Sequence, residues 1–132
     1  MLSYGVDIIN VGRIEEDIQR FGDRFLDRIY TEHERSLCDC GQGQVRFQRY
    51  AGYWAVKEAA MKALGTGYRR GVAYKDIETR HEESADQYGK PYLVLYGIAM
   101  ETAKKIGVKS MAVSISHERE FSIASVIFEK KD

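Results

Sequence analysis

The sequence predicts an α+β fold in which one long central helix packs on a small antiparallel sheet. Three observations carry this. Strand-like apolar runs open and close the chain at Leu2–Ile9, Ser110–Ser116 and Phe121–Phe128. Helical spacing fills much of the interior, above all between Gln44 and Leu64. Helices and strands do not alternate as regular βαβ units. The 132 residues suit a single domain, 1–132, with one core.

Taken in order, Leu2–Ile9 is short, apolar and β-branched, as a strand requires. Val11–Ile29 changes to a helical period, with Ile14, Ile18, Phe21, Phe25 and Ile29 expected on one buried face. Gly22 is a candidate break within it. Thr31-x-x-Glu34 reads as a capping box opening a short helix. The long helix, expected to be amphipathic, stops at Gly65. Val72–Arg80 and Tyr92–Tyr96 alternate like strands, and Ile98–Ile106 is helical up to Gly107. Ser110–Ser116 and Phe121–Phe128, joined by a polar turn, form a hairpin.

Twenty basic and twenty acidic side chains cancel, so no bulk charge drives the chain onto nucleic acid or membrane. Any electrostatic partner must meet a local patch. The start of the chain lacks a cationic segment followed by a long apolar one, and no stretch is long enough to span a bilayer. Cys38 and Cys40 stand one residue apart, which argues for free thiols rather than a disulfide framework or a zinc site.

Five constellations carry candidate chemistry. Glu58 and Lys62 stand one helical turn apart in Trp54–Gly67. Two readings are open: a surface ion pair contributing about 0.2–0.5 kcal/mol, or half of a site for a cation and a phosphate. Asp7 interrupts an apolar strand, where Asp is disfavoured. It either faces water at a sheet edge or joins Glu58 in the sparse carboxylate set that Mg²⁺ uses. If Val6 and Ile8 face the core, Asp7 points the other way. Gly65-Thr66-Gly67 is a helix cap, or a cap that also borders a phosphate. The helix end there is the negative one, so an anion beside it needs Lys62, loop amides or a metal. Ser116 and His117 end a hairpin strand, either as plain turn residues or aimed together at a phosphate. Arg13, Arg20, Arg24 and Arg28 fall within about an 80° arc if their segment is one helix. That stripe is a solvated face or a dock for an acidic protein. It is too short, and too poor in interleaved aromatics, to suit nucleic acid.

Together these residues resemble the holo-[acyl-carrier-protein] synthase family of small 4′-phosphopantetheinyl transferases. The matching pieces are Gly5-Val6-Asp7-Ile8 with Arg13, then Trp54-Ala55-Val56-Lys57-Glu58-Ala59 with Lys62 and Gly65-Thr66-Gly67. Gly89-Lys90-Pro91 and Ser114-Ile115-Ser116-His117 follow in order. The resemblance covers essentially the whole chain. It implies the 4′-phosphopantetheinyl transferase-like fold and transfer of the phosphopantetheine arm of coenzyme A to a serine of acyl carrier protein. It places this reaction in fatty acid biosynthesis and in the cytoplasm. It implies Mg²⁺ as cofactor, held by Asp7 and Glu58 with the pyrophosphate, and phosphate contact by Lys62. Gly65, Thr66, Gly67, Ser116 and His117 would border the nucleotide, and Arg13 would lie on the helix that receives the carrier. It also implies a homotrimer with sites between subunits. Two departures stand out: family members often carry Arg where this chain has Tyr53, and the loop 82–88 is longer than expected.

Overall fold

The computed structural model describes residues 1–65 and 71–132. Strand β1 spans Leu2–Asn10, helix α1 Val11–Phe21, α2 Asp23–Ile29, α3 Glu32–Asp39 and α4 Gln44–Leu64. A single 3₁₀ turn at Tyr74–Asp76 leads into β2, Ile77–His81, so the run from Val72 is a strand only over its second half. Strand β3 (Pro91–Leu95), helix α5 (Gly97–Lys105), β4 (Val108–Glu118) and β5 (Phe121–Lys130) complete the chain. The larger sheet is antiparallel in the order β1-β5-β4, and β2 pairs with β3 in a separate ribbon. Among the described residues, no helix is long and apolar enough to cross a membrane.

Helix α4 is about 30 Å long and forms the centre of the molecule. From Tyr50 onward it is buried on nearly every side, contrary to the amphipathic expectation. Small residues (Ala51, Gly52, Ala55, Ala59, Ala60, Ala63) let the sheet approach one side and α3, α5 and β2 the others. The single open stripe is Trp54, Glu58 and Lys62, successive residues one turn apart. Gly65 closes the helix with φ 75°, its amide donating to the Met61 and Lys62 carbonyls.

Strand β1 lies on α4 with Ser3, Gly5, Asp7 and Ile9 inward and Tyr4, Val6 and Ile8 outward. Asp7 therefore faces the helix, whereas Val6 and Ile8 are exposed. Gly5 explains the choice: a Cβ there would sit 2.0 Å from the Ala59 carbonyl oxygen. Only a glycine permits that approach, and the alternation then turns Asp7 toward the helix. The Ser3 hydroxyl donates to the Ala63 carbonyl and ties the same face down.

Helices α1 and α2 are separate, divided at Gly22 (φ 56°). The arginine arc computed for one continuous helix does not carry over: Arg13 and Arg20 share α1, while Arg24 and Arg28 stand on α2. Ile14, Ile18 and Ile29 are buried as expected, but Phe21 is exposed under the Arg20 guanidinium, 5.2 Å from the ring centroid. The capping box at Thr31 forms, with Glu34 N donating to Thr31 Oγ1 at 3.2 Å and Thr31 N to Glu34 Oε1 at 3.0 Å. Cys38 is buried, Cys40 exposed, and both are free.

Candidate active site

Strand β1 and the last turns of α4 bring Asp7, Glu58 and Lys62 together. Lys62 Nζ donates to the Val6 carbonyl at 2.9 Å and reaches Asp7 Oδ1 at 3.5 Å. Among the described residues its ion pair is with Asp7 and not with Glu58, so the surface i,i+4 pair read from spacing does not form. Glu58 Oε1 instead accepts a hydrogen bond from the Tyr74 hydroxyl at 2.9 Å. Burial pushes the Asp7 carboxyl above its ordinary value; Lys62 opposes this, the Glu58 charge adds to it, and Arg13 opposes it more weakly. The two carboxylates are thus close enough to repel, and the charge of Arg13, near the start of α1, is felt at Asp7.

Two oxygen donors, mutually repelling and partly withdrawn from water, form the kind of set that a hard divalent cation relieves. A cation there would leave most coordination positions to waters or ligand oxygens, as Mg²⁺ prefers. Among the described residues no cluster of three or more metal-ligating side chains exists, so a cation held here would rely on those outside oxygens.

Gly65 is at the end of α4, next to Lys62, whereas Thr66 and Gly67 lie outside the described residues. Ser116 and His117 are neighbours on β4 and so point to opposite faces; they are not aimed together at one point. His117 faces α4, where its Cε1 would be 2.7 Å from a Cβ on Gly52, and its Nδ1 is 2.7 Å from Ser122 Oγ. Burial lowers the His117 imidazole pKa. In the order β1-β5-β4 it is two strands, about 10 Å, from the strand that carries Asp7. One chain therefore does not unite the Ser-His pair with the carboxylates.

His117 instead lines a cleft of about 470 Å³ with Arg49, Gly52, Tyr53 and His81. Tyr53, the departure from the family pattern, is buried there with its hydroxyl 2.7 Å from His81 Nε2. Arg49 donates to the Leu37 carbonyl at 2.9 Å, and Arg46 pairs with Asp39 at 3.0 Å. The loop 82–88 closes the β2–β3 hairpin beside the same cleft, with Gly89 N donating to Glu82 O at 2.8 Å.

Sequence reading missed the buried pair Lys57–Glu34. Both side chains are fully buried, with Lys57 Nζ 2.8 Å from Glu34 Oε1. Lys57 also donates to the carbonyls of Tyr74, at 3.0 Å, and Ile77. Thr79 N donates to Glu34 Oε2 at 3.0 Å. Burial lowers the Lys57 pKa against the raising pull of Glu34. One signal was available: Lys57 stands four residues from Tyr53 and Met61 and seven from Leu64, on a buried stripe.

The matching family model is the 4′-phosphopantetheinyl transferase superfamily, over residues 3–125. The chain belongs to that superfamily. It is 44% identical over 125 residues to a holo-[acyl-carrier-protein] synthase of Solibacter usitatus, covering 95% of each chain. Its fold matches the holo-[acyl-carrier-protein] synthase of Bacillus anthracis in complex with coenzyme A (3′,5′-ADP), with TM-score 0.77, 35% identity, and 98% and 96% of the two chains covered. The Helicobacter pylori holo-[acyl-carrier-protein] synthase in complex with coenzyme A gives TM-score 0.79 and 31% identity, covering 96% of this chain and 99% of that one.

Proposed function

We infer that this chain transfers the 4′-phosphopantetheine of coenzyme A to a serine of apo acyl carrier protein, releasing adenosine 3′,5′-bisphosphate, with Mg²⁺ held by Asp7 and Glu58. The observation that carries the reading is the convergence of Asp7, Glu58 and Lys62 from two elements. A module that only bound coenzyme A would use Lys62 but have no need of a second carboxylate kept there at a desolvation cost.

In the reaction, the serine oxygen bonds to the β-phosphorus of coenzyme A as the bond to the bridging oxygen breaks, and the adenosine bisphosphate leaves with that electron pair. The cation, when bound, offsets charge on the pyrophosphate oxygens. Lys62, 56% exposed, is free to swing to the phosphate, and Asp7 would then be open to hold the cation with Glu58. Glu58 is the side chain we assign to take the serine proton, directly or through a water. The family resemblance assigns Gly65, Thr66 and Gly67 to the nucleotide's border, and Gly65 closes the helix that carries Lys62.

The arginines form two short basic edges, Arg13 with Arg20 and Arg24 with Arg28, which suit an acidic carrier protein. Arg13 is the one of the four whose charge lowers the Asp7 pKa. The outer face of the larger sheet supports a homotrimer: Tyr4 pairs with Ile127 and Ile8 with Ile123, and all four are at least 41% exposed. A neighbouring copy docked there would bring its own β4 toward these carboxylates, offering one of Ser116 and His117, which face opposite ways. The reaction belongs to fatty acid biosynthesis in the cytoplasm.

Mass spectrometry of apo carrier protein incubated with the enzyme, coenzyme A and Mg²⁺ tests this. The expected result is a gain of one phosphopantetheine, lost with Glu58→Gln although that variant folds. Near-normal transfer by Glu58→Gln would sink the assignment.

A further inference from the structure

Tyr74 belongs to none of the motifs, yet its hydroxyl donates to Glu58 Oε1 at 2.9 Å. Its placement is fixed twice over. The ring stacks on Trp54, with centroids 4.9 Å apart and an interplanar angle of 24°. Trp54 in turn stacks on Phe25 of α2, at 6.4 Å and 21°. Trp54 and Glu58 are one turn apart on α4, so the tyrosine lies along the helix with its body on one and its tip on the other. The backbone of Tyr74 is held independently by its carbonyl, which accepts from Lys57 Nζ at 3.0 Å. Lys57 is itself fixed by the buried Glu34, so the anchor does not depend on solvent-exposed groups.

Glu58 has three side-chain rotors and is only partly buried. A donor held in place at Oε1 selects one orientation of the carboxylate. Among the described residues, Oε2 has no partner. Carboxylates that hold a metal are commonly oriented in this way by an outer hydrogen bond, and losing that bond costs about 10–100-fold in metal affinity or activity.

We propose that Tyr74 is a positioning residue: its hydroxyl holds Glu58 in the orientation in which it and Asp7 share one divalent cation beside coenzyme A. This rests on the reading of Glu58 as a cation ligand. Tyr74→Phe keeps the ring, the stack on Trp54 and the carbonyl held by Lys57, and removes the hydroxyl alone.

The test measures Mn²⁺ binding to the coenzyme A-saturated protein by the loss of the free-ion electron paramagnetic resonance signal. Wild type, Tyr74→Phe and Glu58→Gln are compared, each with its thermal midpoint and its KM for the carrier. Tyr74→Phe is expected to raise the Mn²⁺ dissociation constant about 10-fold, with the midpoint and the carrier KM unchanged. Excess Mn²⁺ then restores its transfer rate. If Glu58→Gln loses Mn²⁺ while Tyr74→Phe binds it as tightly as wild type, or more tightly, the positioning role is overturned and the cation site stands. If Glu58→Gln binds Mn²⁺ like wild type, the reading of Glu58 fails and the positioning role with it. Weaker binding by Tyr74→Phe together with a collapsed midpoint would assign the hydroxyl to the fold and likewise overturn the proposal.

Discussion

Helix α4 carries two lysine–carboxylate pairs five residues apart, and they differ in almost every respect. Lys57 and Glu34 are fully buried at 2.8 Å, and all three ammonium donors have acceptors. Lys62 and Asp7 stand at 3.5 Å, with the lysine 56% exposed and the carboxylate 19%. The first pair joins α3, α4 and the 74–79 segment into one unit; its geometry leaves nothing for a ligand. The second is long, wet on one side and next to another carboxylate, so a cation or a phosphate can displace either partner. The same two functional groups act as a fastener where they are completely satisfied and as a site where they are not.

Four substitutions separate the pairs, in descending order of effect. Lys57→Met leaves Glu34 buried without its cation and is expected to cost about 3–5 kcal/mol, read by urea denaturation. An unchanged midpoint would erase the distinction. Lys62→Met is expected to keep stability within about 1 kcal/mol while lowering the transfer rate about 10²-fold. Rates within a factor of two of wild type would make Lys62 as structural as Lys57. Asp7→Asn removes a carboxylate whose pKa is raised above 3.8 by burial, ahead of the opposing Lys62. Between 3.8 and that higher value the native state holds the extra proton, so stability falls as pH rises through the window. At neutral pH Asp7→Asn should therefore gain up to about 1 kcal/mol in a thermal melt while transfer is lost; a clear loss of stability would make Asp7 part of the fold. Thr79 sits against the fastened pair, with its buried Oγ1 unpartnered among the described residues. Thr79→Val should be neutral or stabilising by up to about 1 kcal/mol, since the amide that serves Glu34 remains; marked destabilisation would show a further partner for the hydroxyl.

A pH titration sharpens the contrast from outside both pairs. Burial lowers the His117 pKa from 6.5, so the unfolded chain binds that proton more tightly. The stability this group contributes is full above 6.5 and is lost as pH falls from there through the folded value. His117→Gln should flatten the stability profile just below pH 6.5, and an unchanged slope would dissociate His117 from it.

The boundaries of α4 were legible because Gly65 stops a long helical pattern with little else to compete. The hairpin was legible because period-two alternation resumes on both sides of a polar turn. The facing of β1 was not. Val6 and Ile8 look like core residues, and alternation marks two faces without saying which is inside. Gly5 held that information, since a glycine within a strand marks close approach of another backbone. Asp7, Glu58 and Lys62 were legible as residues, but their pairing was not: Lys62 had two carboxylates within reach, and spacing alone favoured the wrong one. Ser116 and His117 looked joint because they are adjacent, which in a strand means opposite faces. Lys57–Glu34 and Tyr74–Glu58 depend on contacts 23 and 16 residues apart that no local pattern encodes.

The register of β1 also bears on the order in which the molecule is assembled. Asp7 stands opposite Ala124, and β5 is the one strand to which β1 is hydrogen-bonded among the described residues. During synthesis β1 is made well before β5, so it has no strand partner among the described residues until β5 has left the ribosome. Glu58 and Lys62 lie on α4, against which β1 also packs through Gly5 on Ala59 and the Ser3 hydroxyl on the Ala63 carbonyl; the strand hydrogen bonds that fix its register wait for the longer loop to close. A chain at that stage has Asp7 on a strand whose hydrogen-bonding edge toward β5 is still unpaired. The strand that bears Asp7 is therefore held on both sides, by α4 and by β5, only once β5 has paired.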